Sequence, residues 1–115
     1  MREIVRAVPV PEHAETYAIH LVMGTQPGSG FAPGIVEENV LLGSSPRGAQ
    51  ALILAAKVRT LLDSRHAVSC DDIRAVAPDV LRHRIIINFQ GQAEGFTPDD
   101  VVRDLVAKVA VPVGA

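Results

Sequence analysis

Six consecutive residues in this chain have the types and order to grip an anion: Gly43–Ser44–Ser45–Pro46–Arg47–Gly48. The stretch reads as a loop turning into a helix. Gly43 lets the backbone turn freely. Ser45 is a good N-cap, because its hydroxyl can accept a hydrogen bond from an orphan backbone N–H. Pro46 falls at the first helical position, where its missing N–H is harmless. Arg47 then stands second, where the positive end of the helix dipole repels a cation by about 0.3–1 kcal/mol. An arginine set among free backbone N–H groups makes chemical sense if an anion is held there, and phosphate is the usual one. The same residues also fit an ordinary capped helix whose arginine points into water, since short motifs match by accident.

Other candidates carry less. The acid pairs Asp71/Asp72 and Asp99/Asp100 have the groups for metal or acid/base work, but acids in a first helical turn are explained by the dipole. His13, His20, His66 and His83 show no ligand spacing; His13 and His20 stand about 10 Å apart along one helix, too far to share an ion. Cys70 has no base near it in sequence and reads as structural. Arg82–His83–Arg84 is a small basic cluster at an expected helix end, where cations are favoured anyway. The chain has no G-x-x-x-x-G-K-[ST] loop for a triphosphate and no apolar strand ending in paired acids for magnesium. No catalytic centre is expected from these residues alone.

The elements that must position Arg47 follow from periodicity. A helix is expected from Glu12 to about Met23, with Ala14, Tyr17, Ala18, Leu21 and Val22 on one face. Gly24–Gly30 is a loop. Pro33 starts a short helix carrying Ile35, Val36, Val40 and Leu41, and Gly43 stops it. The helix after Ser45 runs to about Leu62 and is apolar nearly all round its first half. Ala49, Leu52, Ile53 and Ala56 fill one face, and Ala51, Leu54, Ala55 and Val58 fill another, so it should be the central helix. Ser69 and Asp72 form a capping box for a helix that ends before Pro78, with a turn or two more over Asp79–Arg84. Ile85–Ile87 is a short strand paired with Ala67–Val68. Gln90–Gly95 is a loop. Thr97–Pro98–Asp99–Asp100 starts a last helix, whose stripe is Val101, Val102, Leu105, Val106 and Val109. Asp104 and Lys108 pair on its surface.

With 115 residues the chain is one domain's worth. Apolar residues make up 48% and charged residues 21%, which excludes a disordered chain. Aromatics are 3%, so the core is Leu, Ile, Val and Ala. A net charge of −2 argues against a DNA-binding helix-turn-helix module and gives no nucleic-acid partner. No run is long enough to span a bilayer, and the charged start is no secretory signal, so a cytoplasmic location without membrane contact is expected. The single cysteine fits a reducing compartment. Residues 1–10 read as the end of something longer, with Ile4, Val5 and Val8 apolar and Val8–Pro11 extended.

At Gly43–Arg47 followed by Ala49–Arg59, the chain resembles the C-terminal lid domain of MoxR-type AAA+ ATPases. The likeness continues through Val68–Ile73, Ala77–Ile85 and Glu94–Val101, covering about residues 34–110. Val5–Val10 is similar to the segment before that lid. The resemblance implies a lead-in segment and helix over 1–33, the lid over 34–110 and a tail over 111–115. It implies an ATPase core in the same chain, ATP with magnesium bound there, and neighbouring subunits of a hexamer. A partner carrying a von Willebrand factor A domain and a chaperone-like role are further implications. Arg47 occupies the sensor-2 position, which touches the terminal phosphates of ATP, and Ser45 and Pro46 support the helix start. The expected fold is a small, mainly α-helical bundle with one short two-stranded β element. This chain alone should bind no nucleotide and hydrolyse none. The competing class is a free-standing helical interaction module with Arg47 merely on its surface.

Overall fold

The computed structural model describes residues 7–109. Its elements in order are α1 (Glu12–Gly24), α2 (Gly34–Asn39), β1 (Val40–Leu42), α3 (Arg47–Leu62), α4 (Cys70–Leu81), β2 (Ile86–Ile87), α5 (Phe89–Ala93) and α6 (Pro98–Lys108). This is the mainly helical bundle with a small β element that the sequence predicts. Residues Ile4, Val5, Pro112 and Gly114, and the domain ends placed near 1 and 115, lie outside the described residues.

The core forms where the helical stripes meet. α1 buries Ala14, Tyr17, Ala18, Leu21 and Val22, the face its periodicity predicts. α3 packs against α1 and α4, and α4 in turn against α1 and α6. Leu52, Ile73, Leu81 and Leu105 are fully enclosed at that junction. Tyr17 is enclosed too, and its hydroxyl accepts a hydrogen bond from Arg74 Nε at 3.1 Å. A buried phenol needs such a partner.

Two helix starts follow their local chemistry. The Ser69 hydroxyl accepts from the Asp72 N–H, and the Asp72 carboxylate accepts from the Ser69 N–H at 2.8 Å. Thr97 and Asp100 repeat the arrangement, with Pro98 at the first helical position. Asp104 pairs with Lys108 at 3.2 Å as the spacing predicts.

Four expectations are corrected. First, α4 does not end before Pro78 but continues to Leu81, and Arg82 N–H donates to the Pro78 carbonyl at 3.1 Å. Proline removes one helical donor, but Ile73, Ala77 and Leu81 keep the same face against the core, all with no exposed surface. Second, Val40 and Leu41 leave the helix at Asn39 and form β1, antiparallel to β2 with Val40 opposite Ile87 and Leu42 opposite Ile86. Ala67–Val68 is not the strand partner; Val68 N–H donates instead to the Pro9 carbonyl at 3.1 Å. Third, Gln90–Gly95 is not all loop, because Asn88 caps α5 by accepting from Gly91 N–H at 2.8 Å. Fourth, the second apolar face of α3 is not filled. Leu54 stays 55% exposed and Leu62 76%, while Ala49, Leu52 and Ala56 carry the buried face. Among the described residues, no helix is long and apolar enough to cross a membrane.

One buried charge ties α3, the following turn and α4 together. Asp72 is 1% exposed and accepts hydrogen bonds from Arg65, from Ser69 and from the Thr60 hydroxyl at 3.2 Å. Arg59 stands 3.3 Å away. Burial by itself would raise the Asp72 carboxyl, but the Arg65 guanidinium and the Ser69 donors hold it well below the usual carboxylate range.

Two predictions follow from this packing. Leu52→Ala should destabilise the domain by about 2–5 kcal/mol, since the site is fully enclosed; a melting temperature within a degree or two of wild type would show that α3 is not the core. Asp72→Asn should cost about 2 kcal/mol at pH 7, allowing for arginines that keep part of their hydration. Because the folded carboxyl titrates below its unfolded value of about 3.9, its contribution is full above that pH and is lost as the pH falls further. The gap between wild type and Asp72→Asn in a denaturant titration should therefore close on acidification. A gap independent of pH would show that the ion pairs are not its source.

Candidate functional site

The Gly43–Gly48 stretch connects β1 to α3 and lies across the end of α1. Thr25, enclosed at the C-terminus of α1, anchors the crossing. Its hydroxyl donates to the Val22 carbonyl at 2.6 Å and accepts from the Ser44 N–H at 2.8 Å. Gln26 adds a second pair: its Oε1 accepts from Gly43 N–H at 3.2 Å and its Nε2 donates to the Ser44 carbonyl at 2.9 Å.

This crossing explains both glycines of the motif. A Cβ on Gly43 would overlap the backbone carbonyl of Thr25, and a Cβ on Gly48 would overlap the Ser44 hydroxyl. Gly43 therefore serves close approach rather than a left-handed turn; its backbone is outside the positive-φ region. The expected role of Gly43 as a free hinge is corrected accordingly.

The start of α3 also differs from expectation. No side chain caps it, so the Ser45 hydroxyl is not an N-cap. Pro46 already has helical angles, φ −55° and ψ −23°, and Arg47 opens the helix proper. Gly48 N–H donates to the Ser45 carbonyl at 2.9 Å and Ala49 N–H to the Pro46 carbonyl at 3.1 Å. A tight first turn thus closes two of the N–H groups that the sequence leaves open for an anion. What remains is the arginine itself. Arg47 is exposed, and α3 has no acid in its first turn, whereas α1, α4 and α6 each carry two. Among the described arginines, Arg59, Arg65, Arg74, Arg82 and Arg103 each hold a carboxylate; Arg47 and Arg84 hold none.

A groove of about 500 Å³ opens beside this turn, between α1 and α3. Ile19, Met23, Ala49 and Ile53 give it apolar walls, Glu15, Gln26 and Gln50 add polar groups, and Ser44 and Pro46 line it at the turn end. Arg47 is a chain neighbour of that end and not part of the wall. The sequence gives no sign of this groove, because its two sides, Glu15–Gln26 and Ser44–Ile53, are far apart along the chain.

The remaining candidates are placed elsewhere. Asp72 and Asp100 are capping carboxylates, Asp99 accepts from Arg82 Nε at 3.0 Å, and Asp71 lies 89% exposed. The Arg82–His83–Arg84 cluster is divided, with Arg82 held by Asp79 and Asp99 and its two neighbours exposed. His20 stacks on Phe31 with ring centroids 4.9 Å apart. Cys70 is buried as the first residue of α4, and burial pushes its thiol up.

Residues 33–105 match the family described as AAA lid domain. The chain belongs to the AAA lid domain family, in its MoxR type. It is 31% identical to the Chaperone MoxR1 of Mycobacterium tuberculosis over 84% of its own length and 26% of that protein. It is 41% identical to the protein YeaC of Bacillus subtilis over 65% of its length and 23% of the relative. Against Protein MoxR of Methylorubrum extorquens the identity is 35%, over 70% of this chain and 24% of the relative. The lid thus spans about a quarter of the length of these curated relatives. Its fold superposes on a putative ATPase from Cytophaga hutchinsonii with a TM-score of 0.91 and 31% identity, covering 97% of this chain and 34% of that one.

The crossing generates a paired prediction. Gly43→Ala should destabilise the lid by about 1–3 kcal/mol, because the obstruction is backbone and cannot rotate away. Gly34→Ala, with open space around it, should be neutral or slightly stabilising. Equal melting temperatures for the two variants would remove the close approach at Thr25 as a constraint.

Proposed function

We propose that this lid makes a MoxR-type ATPase responsive to its nucleotide, with Arg47 as the sensor-2 residue. The Arg47 guanidinium would meet the terminal phosphates of ATP, held with magnesium by the core domain of the same chain. α3 would carry the state of that contact into the rest of the lid. The observation that carries this reading is an exposed arginine, without a carboxylate partner among the described residues, at the electropositive end of the longest described helix. On stability grounds alone the position disfavours a cation. Phosphate oxygens would supply the missing counter-charge, and a guanidinium fork suits them.

The groove beside the turn supports the same reading. Its mostly apolar walls suit a nucleotide's base, with Glu15, Gln26 and Gln50 as polar partners for it. Pro46 would contribute by shape and Ser45 through its backbone. The exposed Leu54, Val58 and Leu62 offer apolar surface for the core to cover. Relatives named as chaperone and ATPase point in the same direction. In this reading the machine works as a cytoplasmic hexamer, remodels client complexes, and acts with a partner carrying a von Willebrand factor A domain.

Arg47→Ala separates fold from function. In this chain alone the melting temperature should stay unchanged or rise slightly, because a cation leaves the positive end of a helix. In the longer ATPase that carries the lid, ATP turnover should fall by roughly a hundredfold, as for other lost transition-state contacts. Arg47→Lys should recover little of it, since a point charge replaces a planar fork. Unchanged turnover would take the sensor role away from Arg47. A large drop in the melting temperature of the chain alone would make Arg47 a structural residue.

A further inference from the structure

Arg47 stands on a helix whose first turn has no side-chain cap and no acid. Something else must hold that turn in a fixed direction. The Thr25 hydroxyl and the Gln26 amide make three hydrogen bonds to the backbone of Gly43 and Ser44, two residues before the tight turn begins. Thr25 has no exposed surface and is itself tied to the Val22 carbonyl of α1. Ser44 is 2% exposed, so water does not replace these partners. Gly43 lets the two backbones close on each other, and Gly48 leaves room for the Ser44 hydroxyl. The direction of the Arg47 turn is therefore set by the end of α1, from a point some twenty residues earlier in the chain. Gln26 and Ser44 also form part of the groove wall, so a ligand seated there touches this connection directly.

We propose that Thr25 and Gln26 are positioning residues for Arg47: their bonds to Gly43 and Ser44 aim the first turn of α3, and with it the guanidinium, at the anion. This rests on Arg47 being the nucleotide contact. The chemistry asks for such a device. A fork that must meet phosphate oxygens tolerates little misplacement, and a displacement of about 1 Å can cost a hundredfold in rate. Propensity does not fix the turn, because no cap competes for its N–H groups.

The test uses Thr25→Val and Gln26→Met, which keep size and remove the hydrogen bonds, with Thr25→Ser as the variant that keeps the hydroxyl. In this chain alone, hydrogen exchange of the Gly43 and Ser44 amides should quicken in the first two variants and stay near wild type in Thr25→Ser. In the longer ATPase, Thr25→Val and Gln26→Met should each lower turnover by about tenfold with Arg47 present. Combined with Arg47→Ala they should add less than about twofold, the mark of residues acting through one another. A purely structural role would lower turnover by the same factor in both backgrounds and would overturn the proposal. So would unchanged exchange at Gly43 and Ser44. Gln26 is only half-buried, so Gln26→Met leaves the core intact and keeps the test open if Thr25→Val unfolds. Full loss in Arg47→Ala with none in either clamp variant overturns the positioning role alone. No loss in Arg47→Ala overturns the sensor reading, and the positioning role with it.

Discussion

The carbonyl of Thr25 occupies the space that a Cβ at position 43 would need. That one close approach sets how the end of α1 meets the start of α3. Both helices bury their apolar stripes against each other and against α4, so the angle at this junction decides which faces enter the core. Side chains at Tyr17, Leu21 and Leu52 then have no exposed surface left. Hydrogen bonds from Thr25 and Gln26 hold the approach that glycine permits. An interior packed to crystal-like density transmits such a constraint rather than absorbing it.

The helix starts divide into two kinds. α4 and α6 begin with complete capping boxes and paired acids, each a local arrangement worth about 1 kcal/mol or more. α3, the longest described helix, begins with none of these and carries an arginine instead. Its stability comes from the enclosed face of Leu52 and Ala56 and from the clamp at its entry. At its far end, Thr60 reaches the Asp72 carboxylate, which Arg59 and Arg65 also hold. Both ends of α3 are thus fixed by tertiary contacts, and its N-terminal turn carries no side-chain cap and no acid.

What was legible in the sequence was local. Ser69 with Asp72, and Thr97 with Pro98 and Asp100, announce helix starts through atoms three residues apart. The stripe of α1 and the length of α3 follow from periodicity over a single element. Pro46 announced a helix start at Arg47, which α3 bears out, and the resemblance named a lid, with which the family match agrees. What was not legible depends on residues far apart. β1 finds its partner in β2, more than forty residues on, and nothing in Val40–Leu42 says so. α3 is apolar on two faces, and sequence alone does not tell that Leu54 and Leu62 stay in solvent. Ser45 looked like a cap because its type fits; the crossing chain takes the adjoining backbone to α1 instead.

The clamp also changes how a lid can respond to a ligand. A capped, acidic helix start is self-sufficient, and its direction relative to its neighbours is a matter of packing alone. A start held through Thr25 and Gln26 is tied to α1, so α1, the crossing and the first turn of α3 form one hydrogen-bonded corner. The groove lies inside that corner, between α1 and α3. A group bound there would touch both helices at once, and Arg47 follows directly on Pro46 of the groove lining. In the proposed reading, a change of charge at Arg47 would act on the corner as a whole, and α4 is packed against both of its helices. Small local forces become rigid-body displacements when the parts between them are packed and bistable rather than soft.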